Sequence, residues 1–429
     1  MMITINNNLI NKILLIGFVI TFFSKDFFFN FYFKNIYIDI FTYTFFTLVF
    51  CFYVNFNISD WKKIYFIILL IIGFQFCIKI INNFSILPLL KQLLPIIIIY
   101  STTYFFIKKN SLKIIFDYYL KTLLLICIFG IMQAILDYFF SINLFQLIPG
   151  RIDSIFREPS HFASLIVPGL IYGFLNFKKY KLFTLIFGIN LILTFSFAGY
   201  LTLIATFILM FFIKKNKLQN LFISLSFILL TIISVLIFEK KLDNNGFLSA
   251  ILKNNFIINN YSNNIDNLIF DNNFNNKVVD LGLYSLSSNL AVTANILITN
   301  PFGSGLGGHE EAYYKYTDQY QIYGSFHESD YVKSKRYGYN SKSAHSLLIR
   351  LLSEFGIIFA FMIIFIFVKI ILNLNKYTDE QKNIIIVCLS YILFRFIKLG
   401  GYFDYGIYFF ITAFLFVIFD QNESTKYNL

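Results

Sequence analysis

The chain has 429 residues, of which 58% are hydrophobic and only 14% are charged. A soluble protein averages about 45–50% apolar and about 25% charged residues, so this composition cannot cover a protein of 50.4 kDa with a water-soluble surface. It excludes a secreted disulfide scaffold, a soluble dinucleotide-binding enzyme and a nucleic-acid-binding protein, although the formal net charge is +12.

Apolar runs of roughly 16–22 residues recur along the whole chain, and a helix of this length can cross a bilayer. They predict an all-α fold, a polytopic membrane bundle of about twelve transmembrane helices. The predicted spans are 9–24, 35–54, 64–81, 92–107, 118–138, 161–177, 182–197, 199–213, 218–238, 347–372, 383–399 and 404–420.

Short lysine-rich loops predict the orientation of these spans, because such loops stay on the cytoplasmic side of a membrane. These loops contain Lys62 and Lys63, Lys108, Lys109 and Lys113, Lys178, Lys179 and Lys181, and Lys214, Lys215 and Lys217. All of them lie on the cytoplasmic face if the N-terminus starts inside, and both termini are then cytoplasmic. The predicted organisation is nine spans in 1–238 with a short outer loop at 137–160, a large extracytoplasmic loop at 239–345, and three spans with a cytoplasmic tail in 346–429.

The short outer loop concentrates charged groups at the start of span six. Pro159 suits the first helical position, because its φ is preset and it has no amide hydrogen to leave unpaired. The predicted helix therefore points its N-terminal N–H groups outward, where such groups bind phosphate. Glu158 and His161 flank this first turn, and Arg151 precedes it. The alternative is a charged helix cap, in which Glu158 accepts hydrogen bonds from the first amides.

Arginine has an unusual distribution in this chain. Only five of the 35 basic residues are arginine, namely Arg151, Arg157, Arg336, Arg350 and Arg395. In the predicted topology all five lie on the outer face or in the outer half of a span, against the usual preference of cations for the inner side. A guanidinium offers a planar fork to phosphate oxygens, so these residues are candidates to bind a diphosphate. Contact with anionic lipid headgroups is the simpler alternative.

The large outer loop contains one predicted helix followed by a glycine-rich turn. Residues 283–299 have the apolar spacing of an amphipathic helix, and the turn after it contains Gly303 and Gly305. Glycine permits close approach of the backbone to a ligand, but a plain reversal of the chain is the favoured explanation. The turn is not a nucleotide-binding loop, because no Gly-Lys-Ser/Thr follows it.

A histidine marks the entry to span ten. His345 and Gly356 are eleven residues apart, about three helical turns, which predicts that they share one helix face. A neutral imidazole at the membrane boundary can act as a general base, although a lone histidine is more often structural. Arg350 and Glu354 form an i,i+4 pair, whose simplest role is mutual neutralisation.

The chain resembles the bacterial O-antigen polymerase (Wzy-type) and O-antigen ligase family of membrane glycosyltransferases over roughly residues 110–420. Three motifs in the family's order carry the resemblance. They are Arg151 with the stretch Phe156-Arg157-Glu158-Pro159-Ser160-His161-Phe162-Ala163, the turn Asn300-Pro301-Phe302-Gly303-Ser304-Gly305, and the span running from His345 to Gly356. The Glu-Pro-Ser-His variant is closer to the polymerase branch than to the ligase branch.

The resemblance implies an inverting, metal-independent glycosyl transfer at the outer leaflet of the bacterial cytoplasmic membrane, without a cofactor. Donor and acceptor would be glycans on undecaprenyl diphosphate, with membrane lipids and a chain-length regulator as further partners and no nucleic acid. Its implied catalytic residues are Arg151, which would bind the donor diphosphate, His345, which would orient or deprotonate the acceptor hydroxyl, and Glu158, which would position His161 or that hydroxyl. Further substrate-binding candidates, chosen by charge and position more than by the motif, are Arg157, His161, Arg336, Arg350, Arg395, Gly303 and Gly305.

Two other functions remain open at this point. A ligase would transfer the finished polymer to lipid A core or to protein, and it differs from the polymerase only in the acceptor. A flippase for lipid-linked oligosaccharides also has about twelve spans, but it needs charges in a central cavity and no outer loop of this length. The ionisable groups of this chain instead collect at the predicted outer face, which favours chemistry there.

Overall fold

The computed structural model describes residues 7–27, 30–33, 36–53, 72–140, 142, 151–214, 281–317 and 340–419. Predicted span nine, the first part of predicted span three, Arg336 and most of the predicted large loop lie outside these residues. The described helices are α1 (Asn7–Ile20), α2 (Ser24–Phe27), α3 (Ile40–Tyr53), α4 (Ile72–Ile81), α5 (Leu87–Lys109), α6 (Leu112–Phe140), α7 (Pro159–Leu175), α8 (Phe177–Thr194), α9 (Phe197–Ile213), α10 (Leu281–Thr299), α11 (His309–Thr317), α12 (Leu347–Phe355), α13 (Ile357–Asn373), α14 (Asp379–Ile397) and α15 (Ile407–Phe419).

The predicted all-α fold is confirmed. The described residues are helical apart from turns and one antiparallel hairpin, in which β1 (Asn30–Phe33) pairs with β2 (Ile36–Asp39). By length and composition, α5 and α6 can each cross a membrane, and the bent pair of α12 and α13 would be a third span among the described residues. These helices agree with a membrane protein, while the number of twelve spans stays a prediction.

Span ten, predicted as one helix over 347–372, consists of two helices in the structure. Helix α12 ends before Gly356, and α13 leaves at an angle of 119° to it. Gly356 has a φ of +59°, which ends the α-helical conformation. The first amide of α13, that of Ile357, then donates to the carbonyl of Pro301 at 2.8 Å. His345 precedes α12 and Gly356 follows it, so the predicted shared helix face does not exist.

Helix α14 lies at the centre of the bundle, where it packs against α7, α9 and α15. A capping box starts it, since Thr378 and Gln381 each accept a hydrogen bond from the backbone amide of the other. The run 384–391 is buried throughout, as expected for a helix surrounded by other helices. This burial continues to Arg395, near the end of α14, whose exposed fraction is 0%.

The ends of α14 lie at opposite ends of the bundle. Near its start, Glu380 forms an ion pair with Lys113, one of the predicted loop lysines, at the start of α6. Near its finish, Arg395 donates to the carbonyl of Gly401. The two residues are separated by about 22 Å along the helix axis. Lys113 and Arg395 therefore lie at opposite ends of α14, while the orientation of the bundle in the membrane stays a prediction.

Candidate functional site

The site is built around one short segment, residues 398–406 between α14 and α15, which we call the connector. Side chains from distant parts of the sequence contact it residue by residue. These contacts join Lys398 to Glu158, the Leu399 amide to the His345 carbonyl, the Gly400 carbonyl to Arg350, the Gly401 carbonyl to Arg395, Tyr402 to Glu354, and Tyr405 to Asp26 and His161. The connector thus brings together five of the site residues predicted from the sequence.

Helix α7 starts at the predicted residue, but the charged cap that was the alternative role for Glu158 is not formed. Pro159 is the first residue of the helix, which confirms the prediction, whereas Glu158 makes no capping bond with its side chain. The Glu158 carboxylate instead accepts from Lys398 Nζ at 3.1 Å and from Ser160 Oγ at 3.0 Å. Burial raises the pKa of Glu158, but Lys398, His161 and the hydrogen bonds outweigh it and lower the pKa to about 2. Glu158 is therefore an ionised group at neutral pH.

His161 lies between two carboxylates. Its Nδ1 is 3.0 Å from Asp26 Oδ2, and its Nε2 is 3.8 Å from Glu158 Oε2. Tyr405 Oη is 2.8 Å from the same Asp26 oxygen. Sequence reasoning missed Asp26 and Tyr405, because they lie 135 and 244 residues from His161. Neither stands in a motif that distinguishes it from an ordinary loop residue.

Arg395 is a buried cation with hydrogen-bonding capacity to spare. Its Nη2 donates to the carbonyl of Gly401, but its Nε and Nη1 have no hydrogen-bond partner among the described residues. Asp404 interacts electrostatically with Arg395, yet its salt bridge is with Lys25, at 2.6 Å. Buried N–H groups are nearly always hydrogen-bonded, so this guanidinium is suited to binding an anion.

Arg350 contrasts with Arg395, because it is fully engaged in the predicted pair. Its Nε donates to Glu354 at 3.1 Å, and its Nη1 donates to the Gly400 carbonyl at 3.0 Å. Tyr402 donates to the other oxygen of Glu354 at 2.6 Å, and its ring lies 4.1 Å from the guanidinium carbon. The predicted mutual neutralisation is confirmed, and it fixes α12 against the connector.

The remaining predicted arginines have different surroundings. Arg151 donates from Nε and Nη2 to the carbonyls of Thr194 and Phe195, both at 3.1 Å, at the end of α8. Burial lowers the pKa of Arg151, and the nearby Tyr200 and Glu158 partly oppose this. Arg157 is exposed, and its backbone amide donates to Asp26 at 3.3 Å. Arg151 therefore stabilises a helix end close to the connector.

His345 lies in an irregular turn rather than on a helix. Ala344 and His345 both have a positive φ, +55° and +60°, which non-glycine residues adopt only at a cost of about 1–2 kcal/mol. The His345 carbonyl accepts from the Leu399 amide at 2.9 Å, and its Nδ1 is 3.0 Å from Ser285 Oγ of α10. Such strained positions cluster at functional sites, where surrounding contacts maintain them.

The glycine turn caps α12. A Cβ atom on Gly303 would lie 2.6 Å from the Glu354 carbonyl oxygen, and the Gly305 amide donates to that oxygen at 3.0 Å. The Ser304 amide donates to the Ser353 carbonyl at 2.7 Å. The turn thus satisfies carbonyls that the helix end leaves free, and these contacts agree with a reversal of the chain.

His309, the first residue of α11, has a structural role. It is 1% exposed, and its ring nitrogens lie 2.7 Å from Ser353 Oγ and 2.8 Å from Asn289 Oδ1. Burial and the nearby Arg350 lower the pKa of His309 to about 3. It is therefore neutral near pH 7 and joins α10, α11 and α12.

Taken together, the described residues place a buried guanidinium, two histidines and ionised carboxylates around one segment at one end of the bundle. Such a set can bind an anion and accept a proton beside it. No protein-family model matches this chain, and no curated protein sequence matches it.

Proposed function

We propose that this protein is a polysaccharide polymerase of the bacterial cytoplasmic membrane. It transfers a growing undecaprenyl-diphosphate-linked glycan onto the next lipid-linked repeat unit at the outer leaflet. In this proposal the chain has about twelve spans, with the lysine-rich end of the bundle in the cytoplasm and the connector at the outer face.

The observation that supports this proposal is the convergence on the connector. Glu158, His161, His345, Arg350 and Arg395 come from three separate stretches of the sequence, yet each contacts residues 398–405. They include the groups that a glycosyl transfer from a lipid diphosphate requires, which are a cation for the leaving group and a base for the acceptor. Binding alone would not require an imidazole beside the cation.

The chemistry follows from these groups. The acceptor hydroxyl oxygen attacks the anomeric carbon of the donor, the bond between that carbon and the diphosphate oxygen breaks, and the configuration inverts. Arg395 stabilises the negative charge that develops on the diphosphate, because its buried Nε and Nη1 have no hydrogen-bond partner among the described residues. Arg151 and Arg157 add positive charge nearby, and His345 orients or deprotonates the acceptor.

Purified protein should elongate its substrate without any added metal or nucleotide. The experiment incubates it in detergent or nanodiscs with undecaprenyl-diphosphate repeat units, and the products are sized by electrophoresis and mass spectrometry. A ladder of lipid-linked products with several repeat lengths supports the polymerase. Transfer only to lipid A core or protein would identify a ligase, and movement of intact lipid across the bilayer without a new glycosidic bond would identify a flippase.

His345→Ala should abolish this ladder while the variant still reaches the membrane in normal amounts. The change removes the imidazole but keeps the backbone carbonyl that bonds to Leu399, so the turn retains that contact. Lys342→Ala, at an exposed position of the same turn, is the control and should leave the ladder unchanged. A normal ladder in His345→Ala would remove this imidazole from the mechanism.

A further inference from the structure

The contacts around Asp26 form a compact unit that the resemblance did not predict. The Asp26 side chain, in α2, is 2% exposed, and its Oδ2 faces three hydrogen-bonding groups. They are the backbone amide of Arg157 at 3.3 Å, Tyr405 Oη at 2.8 Å and His161 Nδ1 at 3.0 Å. Tyr405 Oη and His161 Nδ1 are also 2.7 Å apart.

These distances determine which atom holds each proton. Burial raises the pKa of Asp26, but His161, Tyr405 and Lys25 outweigh it and lower the pKa below its usual value. Asp26 is therefore an ionised carboxylate near pH 7 and can only accept hydrogen bonds. Tyr405 donates its single proton to Asp26, so the proton between His161 and these two oxygens has to be on Nδ1. The other ring nitrogen, Nε2, then carries the lone pair of the neutral imidazole.

Nε2 of His161 lies beside the half-exposed side chain of Glu158. The His161 side chain is 15% exposed, and Nε2 lies 3.8 Å from Glu158, too far for a hydrogen bond. A hydroxyl group of a substrate can reach Nε2 from this side, beside Glu158 and Lys398. A buried carboxylate on one nitrogen and an accessible lone pair on the other is the arrangement by which a carboxylate orients a histidine base.

We infer, on the premise of the polymerase function above, that His161 is the general base and that Asp26 is its positioning residue. The acceptor hydroxyl transfers its proton to Nε2 of His161 as its oxygen forms the new bond to the anomeric carbon. The electron pair of the broken bond remains on the released diphosphate. Asp26 stabilises the imidazolium that results, and His161 then returns its proton to solvent or to the diphosphate.

The contacts described for two other histidines are with neutral groups. His345 Nδ1 faces the hydroxyl of Ser285, and the partners of His309 are a hydroxyl and an amide oxygen. A neutral partner stabilises an imidazolium less well than a carboxylate does. In this inference His345 orients the acceptor, which is one of the two roles that the resemblance leaves open for it.

Charges on every side of His161 bear on the pH dependence. Asp26 and Glu158 flank the ring, Lys398 is paired with Glu158, and Arg157 precedes it in the chain. Lys25 is paired with Asp404 and lies 5.2 Å from the centre of the Tyr405 ring. The pKa of Glu158 is about 2, so protonation of Glu158 cannot cause a loss of activity between about pH 5 and 8.

The test measures kcat of the purified full-length protein between pH 5 and 9, in variants at both positions. His161→Gln should lower kcat about 100-fold or more and should abolish the fall in activity on the acid side. Asp26→Asn should lower kcat about 10-fold or more, with that fall moved to lower pH, because a neutral neighbour makes protonation of the ring harder. Asp26→Glu, which keeps the carboxylate, should retain the wild-type pH profile.

Asp117→Asn is the matched control, because Asp117 accepts from Tyr180 and Lys179 at the lysine-rich end of the bundle. It should leave kcat and the pH profile unchanged. If Asp26→Asn lowers kcat without moving the profile, Asp26 has only a structural role and the inference fails. It also fails if His161→Gln keeps the wild-type kcat.

A second measurement separates this inference from the proposed function. Diethylpyrocarbonate acylates neutral imidazole, so mass spectrometry can follow modification at His161 as a function of pH without any substrate. The midpoint of modification should move to lower pH in Asp26→Asn, and an unchanged midpoint would contradict the role of Asp26. If wild-type protein elongates no lipid-linked glycan but the midpoint does move, the polymerase proposal fails and the pairing of Asp26 with His161 stands.

Discussion

Gly400→Ala should destabilise the protein more than an alanine substitution at any other glycine of the connector. A Cβ atom at this position would lie 1.6 Å from the carbonyl oxygen of Ser343 and 2.9 Å from that of Ser346. Both atoms belong to the backbone and cannot rotate away, so the connector has to separate from the turn that carries His345. Overpacking of this kind costs about 3 kcal/mol or occasionally more. Activity should be lost as well, because the contact between Leu399 and His345 is broken.

Gly188→Ala provides the control for this prediction. Gly188 lies inside α8, and the nearest neighbour of an added Cβ atom would be the Leu170 side chain at 4.0 Å. Alanine is the better helix former by about 1 kcal/mol, so this variant should melt at or above the wild-type temperature. Thermal unfolding of both variants in detergent, followed by circular dichroism, makes the comparison. Equal melting temperatures for Gly400→Ala and wild type would contradict the close packing of the connector.

Arg395→Met should cost much less stability than Arg350→Met, although both remove a buried guanidinium. Arg350→Met leaves Glu354, which is 0% exposed, without its cation, and breaking a buried pair in this way costs about 3–5 kcal/mol. Arg395→Met removes a cation whose Nε and Nη1 have no partner among the described residues. Its neighbour Asp404 keeps the ion pair with Lys25. Stability should therefore change by only about 1 kcal/mol, the contribution of the bond to Gly401.

The two arginine variants also separate a ligand-binding residue from a structural one. Under the proposed function, Arg395→Met should lower kcat about 100-fold, since it removes charge stabilisation of the leaving diphosphate. Melting temperature and kcat are measured on the same preparations. If Arg395→Met is as unstable as Arg350→Met, Arg395 is a structural residue. If it is stable and fully active, it does not bind the donor.

Local sequence patterns predicted the features that depend on neighbouring residues. The helix start at Pro159, the helix that includes 283–299 and the pair of Arg350 with Glu354 were all predicted correctly. Each depends on backbone preferences or on the i,i+4 geometry of one helix, which the sequence contains directly.

Features that depend on distant residues could not be predicted in this way. Asp26 meets His161 only because α2 lies beside the start of α7, and nothing near Asp26 marks it as a partner. The single helix expected over 347–372 was wrong, because an apolar run does not show that Gly356 bonds its neighbours to the glycine turn. The positive φ of His345 also has no sequence signal, since histidine seldom adopts it.

The connector receives several of its contacts through main-chain atoms, at the Leu399 amide and at the carbonyls of Gly400 and Gly401. Every residue except proline supplies the amide at position 399, but the φ of +73° there disfavours β-branched side chains. The two glycines are different, because a Cβ atom at either would collide with its surroundings. Under the proposed function, proteins of this kind that use different sugars should therefore keep the glycine pair and the two arginines that bind it, while neighbouring positions vary.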